Sequence, residues 1–127
     1  MSPATIDRRL ASVRSRLARL GPKQALAAQL QGAILVDIRP SVNRLTEGTI
    51  PGALVIDRNV LEWRLDPTCD ARISAASHDA WIVLFCNEGY ASSFAAVSLQ
   101  ELGIARATDM AGGYRAWRAC GLPTRSA

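Results

Sequence analysis

The sequence predicts an α/β sandwich built around a central, mostly parallel sheet. Three short runs, AILVDIR, ALVIDR and WIVLFC, are apolar, rich in branched residues and of the length of buried strands. Stretches of helical spacing lie between and around them, and glycine or proline stands at several of the junctions. Strands that alternate with helices place helices on both faces of a parallel sheet. The chain has 127 residues, of which 49% are hydrophobic, enough for one domain with a substantial core.

Taken in order, Ile6, Leu10, Val13, Leu17 and Leu20 recur at spacings of 4, 3, 4 and 3, with arginines mostly between them. That pattern predicts a basic amphipathic helix over residues 1–21, ahead of a single domain over 22–127. Gly21-Pro22 breaks the helix, and Pro22 suits the first position of a second one, through KQALAAQLQ to Gly32. AILVDIR is the first strand, PSVNRLTEGTIPG is turn-rich, and ALVIDR is the second strand. NVLEWRLDPTCDARISAASHDA is a long irregular connection with a short helix at its start. WIVLFC is the strongest strand. SSFAAVSLQELG is a helix with Phe94, Val97, Leu99 and Leu102 near one face, stopped by Gly103. A weaker strand spans residues 107–110, and YRAWRACGLP closes the chain as a helix ended by Gly121 and Pro123.

Charge is unevenly placed. The net charge is +4, but residues 1–23 set six cations against Asp7 alone, a net of +5, which leaves −1 for the rest. The basic character therefore belongs to the N-terminal segment. No aromatics interleave with those arginines and no nucleic-acid motif is present, so nucleic-acid binding is not expected. No apolar run approaches 18 residues, so no membrane-spanning helix is expected. The N-terminus lacks the continuous apolar core of a secretion signal, and a cytoplasmic location is expected. Arginine outnumbers lysine 14 to 1, a bias that points to a GC-rich bacterial genome. Cys69, Cys86 and Cys120 are odd in number and widely spaced, which argues against a disulfide framework and a zinc site. No metal or other cofactor is expected.

Cys86 ends the strongest strand and precedes a small polar loop and a helix. Ligands of parallel sheets sit beyond the carboxyl ends of the strands. A loop between a strand and a helix N-terminus can aim several N–H groups at one point, and Gly89 permits the backbone this needs. Such donors favour a thiolate or the outer sulfur of a persulfide. A small, inert, buried cysteine is the competing reading, and the segment alone leaves the two level. His78, the only histidine, precedes the strand that Cys86 ends. Extended chain would put the two at opposite sheet edges. Leu61 and Trp63 could form an apolar wall of the pocket or pack in the core.

FCNEGYASSFAA resembles the active-site loop of the rhodanese-like (sulfurtransferase) family. Three further segments match in the right order. LVDIR at 35–39 resembles the family's strand ending in Asp and Arg. EGTIPGALVI at 47–56 is similar to its G-H-I-P-G-A segment, with Thr49 where histidine is usual. MAGGYRAWRACGLP at 110–123 resembles its C-terminal segment. Together they cover roughly residues 23–124. The resemblance implies the rhodanese three-layer fold, with Cys86 as the persulfide-forming nucleophile. Asn87, Glu88, Gly89, Tyr90, Ala91 and Ser92 would form the cradle around the transferred sulfur.

Departures from the pattern narrow the expectation. Active members often carry arginine at the position of Asn87, of Ala91, or of both, and here neither is basic while Glu88 adds a negative charge. A dianion such as thiosulfate would lose its usual partner. Arg39, Arg58 and Arg115 could partly replace it near the same sheet edge, unless Asp37 or Asp57 pairs with them. The longer C-x5-R loop of related phosphatases would need arginine where Ser92 stands, so phosphatase chemistry is disfavoured. The reading is a sulfurtransferase or sulfur carrier acting through Cys86, with a small sulfur donor and a thiol acceptor, and thiosulfate is not expected to be the best donor. The alternative is a catalytically weak binding or regulatory module. Residues 6–20 could serve a homodimer or a protein partner, or pack on the chain's own body.

Overall fold

The computed structural model describes residues 4–127. Four strands, β1 (Ile34–Asp37), β2 (Leu54–Val55), β3 (Ile82–Phe85) and β4 (Thr108–Asp109), form one all-parallel sheet in the order β2-β1-β3-β4. Six helices accompany them: α1 (Ile6–Arg14), α2 (Pro22–Leu30), α3 (Ser41–Glu47), α4 (Leu61–Leu65), α5 (Ala91–Glu101) and α6 (Gly113–Ala119).

Alternation along the central strands splits the core into two layers. Val36 of β1 and Ile82 and Leu84 of β3 face a cluster that includes Leu61, Leu65, Ala95, Ala96 and Leu99 from α4 and α5. Leu35, Val83 and Phe85 face the other cluster, with Ala25 and Ala28 of α2 and Tyr114 and Trp117 of α6. Helices on both faces of a parallel sheet make the three-layer sandwich that the sequence predicts. The central strands β1 and β3 are buried on both faces, which is why they read as continuous apolar runs. By contrast, β2 lies at the sheet edge with Leu54 and Val55 exposed, unlike the buried second strand that ALVIDR predicts. No described helix is long and apolar enough to cross a membrane.

Two further elements differ from the sequence expectation. The N-terminal helix ends at Arg14 rather than near Leu20, and residues 1–3 of the expected helix lie outside the described residues. The amides of Arg16 and Leu17 bond three residues back in a tightening last turn. The chain then straightens, so that Leu20 forms a parallel bridge with Met110 beside β4. The 4-3-4-3 spacing persists past the helix because Leu17 and Leu20 still pack, Leu17 on one core layer and Leu20 on the other. The turn-rich stretch after β1 contains α3. Its apolar residues Val42 and Leu45 are exposed, so it sends no periodic signal to the core.

Candidate active site

β3 delivers Cys86 to the carboxyl edge of the sheet, and α5 begins five residues later. The intervening loop wraps around the sulfur. The Gly89 amide donates to Cys86 Sγ at 3.2 Å and the Ser92 amide at 3.4 Å. The thiol lies 3.4 Å from Ser92 Oγ. Gly89 holds φ +86°, and a Cβ there would lie 2.7 Å from the Gly112 nitrogen. No other residue fits that turn without moving its neighbour.

The outer side of the loop is pinned by the start of α6. The Tyr114 amide donates to the Cys86 carbonyl at 2.9 Å and the Arg115 amide to the Asn87 carbonyl at 3.1 Å. All described peptides are trans, so each following N–H points away from the carbonyl that is held. The amides of Asn87 and Glu88 are thereby turned from α6 towards the loop's inner side. Neither has a protein acceptor among the described residues. The close approach depends on Gly113, at φ +62°. A Cβ there would meet the Cys86 carbonyl oxygen and stand 2.8 Å from the Asn87 carbonyl carbon and the Glu88 nitrogen.

Cys86 opens into a cleft of about 660 Å³, walled by Ile38, Pro40, Asn59, Tyr90 and Ala91, with Arg39, Asp57, Arg58, Asn87 and Glu88 also on its lining. Leu61 is fully buried in the core and Trp63 is exposed, and neither lines this cleft. His78 packs against Gly103, beyond the far end of α5 from Cys86. Among the described residues no three metal-ligating side chains converge.

The cations expected near the cleft are mostly engaged elsewhere. Arg39 is buried and pairs with Asp37 through Nη2–Oδ2 at 2.7 Å, with Nε also on the carboxylate. It donates further to the Gly48 carbonyl at 2.8 Å and to Asn87 Oδ1 at 3.2 Å, and it stacks 4.1 Å from the Tyr114 ring centroid. Asp37 is buried with it and lies behind the cleft rather than on its lining. The pair therefore braces the loop through Asn87. Arg58 sits on the lining but pairs with Glu62 at 2.8 Å, with its side chain 40% exposed. Glu88 is turned to solvent, where its carboxylate accepts from Arg115 at 3.0 Å.

Glu47 completes this bracing. It accepts from Asn87 Nδ2 at 2.9 Å and from Arg115 Nε at 3.1 Å. The hydrogen bonds from Arg115, then from Asn87, lower its pKa from 4.5 to about 2 against the opposing effect of burial. A carboxylate depressed on folding stabilises fully above its unfolded value. The contribution is lost as pH falls through the folded value. Wild type is thus expected to lose stability between about pH 5 and about pH 2, and Glu47→Gln to lose less over the same interval. Urea midpoints at both ends measure this, and equal losses would contradict it.

Four residues that the sequence reading did not single out converge behind the loop. Asp109 of β4 is fully buried and accepts from Ser92 Oγ and Ser93 Oγ at 2.8 Å each. Arg19 pairs with it at 2.8 Å and donates to the Gly89 carbonyl at 3.0 Å. Arg14 donates to that same carbonyl at 2.8 Å and to Ser93 Oγ at 3.2 Å. The charge imbalance was the available signal. An acidic residue on a buried strand needs a cation, and the N-terminal segment carries the surplus.

A cysteine at the end of a central parallel strand, ringed by amides at a helix N-terminus, marks an α/β domain with a cysteine loop as its candidate reactive site. The model of the Rhodanese-like domain matches residues 22–120, and the chain belongs to that family. Among curated relatives it is 32% identical over 105 residues to the thiosulfate sulfurtransferase GlpE of Pseudomonas fluorescens, covering 82% of this chain and 87% of that one. It is 30% identical over 96 residues to a sulfurtransferase of Allochromatium vinosum, covering 76% and 81%. Among solved structures, a Rhodopseudomonas palustris protein of unknown function, described as a "Possible Tyrosine Phosphatase", superposes with a TM-score of 0.88. It is 28% identical, and the match covers 98% of this chain and 97% of that one.

Proposed function

We propose that this protein transfers sulfane sulfur through a persulfide on Cys86, loaded by an organic persulfide, whose charges lie away from the reacting sulfurs, in preference to thiosulfate. The observation that carries the reading is the environment of Sγ. Two amides point at it, and further unpaired amides line the same loop. The wall beside it is largely apolar, and none of the nearby guanidiniums is free.

In the loading step the Cys86 thiolate attacks the outer sulfur of R–S–SH. The Cys86 Sγ–S bond forms, the donor's S–S bond breaks, and R–S⁻ leaves with the electron pair. In the second step an acceptor thiolate attacks the outer sulfur and Cys86 leaves as thiolate. The loop amides stabilise negative charge on both sulfurs without a side-chain cation. A thiosulfate dianion would meet Asp57 and Glu88 on the lining, and the two guanidiniums there, Arg39 and Arg58, are already paired with Asp37 and Glu62.

The relatives' names make thiosulfate the natural comparison. Initial rates of sulfur transfer to cyanide, measured with glutathione persulfide and with thiosulfate, test the preference. The persulfide is expected to exceed thiosulfate in kcat/KM by at least about tenfold, the worth of one charge-assisted contact. A higher kcat/KM for thiosulfate would overturn it. No turnover with either donor would favour the binding-module reading. Phosphatase chemistry gains no support from this loop, because Ser92 occupies the position where the related loops carry arginine.

A further inference from the structure

Arg14 and Arg19 precede the region that the family model matches, yet both reach the cysteine loop. They are carried there by two anchors. α1 lies along α5, with the Arg9 guanidinium 5.4 Å from the Phe94 ring centroid and the Arg14 guanidinium 5.4 Å from that of Tyr90. Directly after Arg19, the backbone of Leu20 joins the edge of β4. Its amide donates to the Asp109 carbonyl at 3.1 Å, and its carbonyl accepts from Ala111 at 2.8 Å. The segment between the anchors is held at both ends.

The two guanidiniums meet at one atom, the Gly89 carbonyl oxygen. In a trans peptide the N–H of Tyr90 points opposite to that carbonyl. This amide has no protein acceptor among the described residues, and Tyr90 lines the cleft. Two cations on the oxygen fix the peptide plane and draw electron density from its N–H, which strengthens that donor. Arg19 also neutralises Asp109, whose carboxylate holds the hydroxyls of Ser92 and Ser93. The Ser92 amide is one of the two on Sγ. Both ends of the loop's inner surface are therefore set from behind by the same cluster.

We infer that Arg14 and Arg19 are positioning residues of the active site. They supply, through the Gly89–Tyr90 peptide, the cationic bias that the loop's own Asn87 and Ala91 lack. The N-terminal segment is then part of the reactive centre, although neither arginine faces the substrate. This rests on the cysteine chemistry proposed above, but its first readout does not need that chemistry.

Arg14→Gln is the cleaner variant, because it leaves the Arg19–Asp109 pair and hence the fold in place. Arg14→Gln/Arg19→Gln is the stronger one, and Arg8→Gln, on the exposed face of α1, is the control. The first readout is the rate of Cys86 alkylation by iodoacetamide in proteins whose circular dichroism matches wild type. It is expected to fall about fivefold in Arg14→Gln and further in the double variant, to recover partly in Arg14→Lys, and to be unchanged in Arg8→Gln. The second is the split between kcat and KM in sulfur transfer. Here kcat should fall about as much, while KM for the persulfide stays within about twofold. Alkylation and kcat at wild-type values in folded Arg14→Gln and in the double variant would overturn the inference. If wild type transfers no sulfur but alkylation still depends on Arg14, the proposed function fails and the positioning role stands.

Discussion

Arg39→Ala is expected to destabilise the fold by about 3–5 kcal/mol, the cost of leaving one member of a buried ion pair without its partner. Both side chains of the Asp37–Arg39 pair are about 1% exposed. Removing the guanidinium strands the Asp37 carboxylate inside the protein. It also takes a donor from the Gly48 carbonyl, a brace from Asn87 and a stacking partner from Tyr114. For a domain whose total stability is on the order of 5–15 kcal/mol, a loss of that size removes much of the margin. Chemical denaturation of wild type, Arg39→Ala, Asp37→Leu and Arg39→Met/Asp37→Leu measures it. The double variant should recover a substantial part of the loss, because apolar replacements of both partners leave no buried charge. A loss below about 1 kcal/mol for Arg39→Ala would show that the pair is solvated and does not brace the loop.

Cys86→Ser is expected to abolish sulfur transfer, by at least about a thousandfold, while leaving stability nearly unchanged. The serine hydroxyl fits the same space and can accept the same two amide hydrogen bonds. It is, however, a far weaker nucleophile at neutral pH, and the loop offers it no general base. His78 packs at the other end of α5, and the nearby Asp109 carboxylate is occupied by Arg19, Ser92 and Ser93. A variant that unfolds at the same denaturant concentration as wild type but transfers no sulfur separates a chemical role for the thiol from a packing one. Residual transfer within tenfold of wild type would assign the chemistry elsewhere, with Cys69 and Cys120 as the remaining thiols.

The layered fold was legible because its signals are local. Buried parallel strands read as continuous apolar runs, and glycine and proline punctuate them. The position of Cys86 was legible for the same reason, since a strand, a glycine-bearing loop and a helix sit together in the sequence. That segment alone left a reactive and an inert cysteine level, and only the three flanking segments that resemble the rhodanese-like family tipped the reading. What stayed hidden depends on contacts between distant residues. Arg39 and Asp37 lie two apart, but only the folded burial of both shows that the arginine, though on the cleft lining, is engaged in bracing the loop. Arg19 and Asp109 are 90 positions apart, and Arg14 and Arg19 read as the polar face of a helix. The helix ending at Arg14 was obscured because Leu17 and Leu20 keep an apolar spacing while leaving the helical path. α3 was obscured because its apolar side chains face solvent.

The central claim is that Cys86 itself holds the transferred sulfur. Intact-mass spectrometry of wild type and Cys86→Ser after reaction with glutathione persulfide, and separately with thiosulfate, tests it most directly when a cyanide rinse is included. Wild type should gain one sulfur atom, placed on Cys86 by peptide mapping, more fully with the persulfide than with thiosulfate. Cyanide should remove the added sulfur, and Cys86→Ser should gain none. An unmodified Cys86 with both donors, or the same gain in Cys86→Ser, would contradict the account.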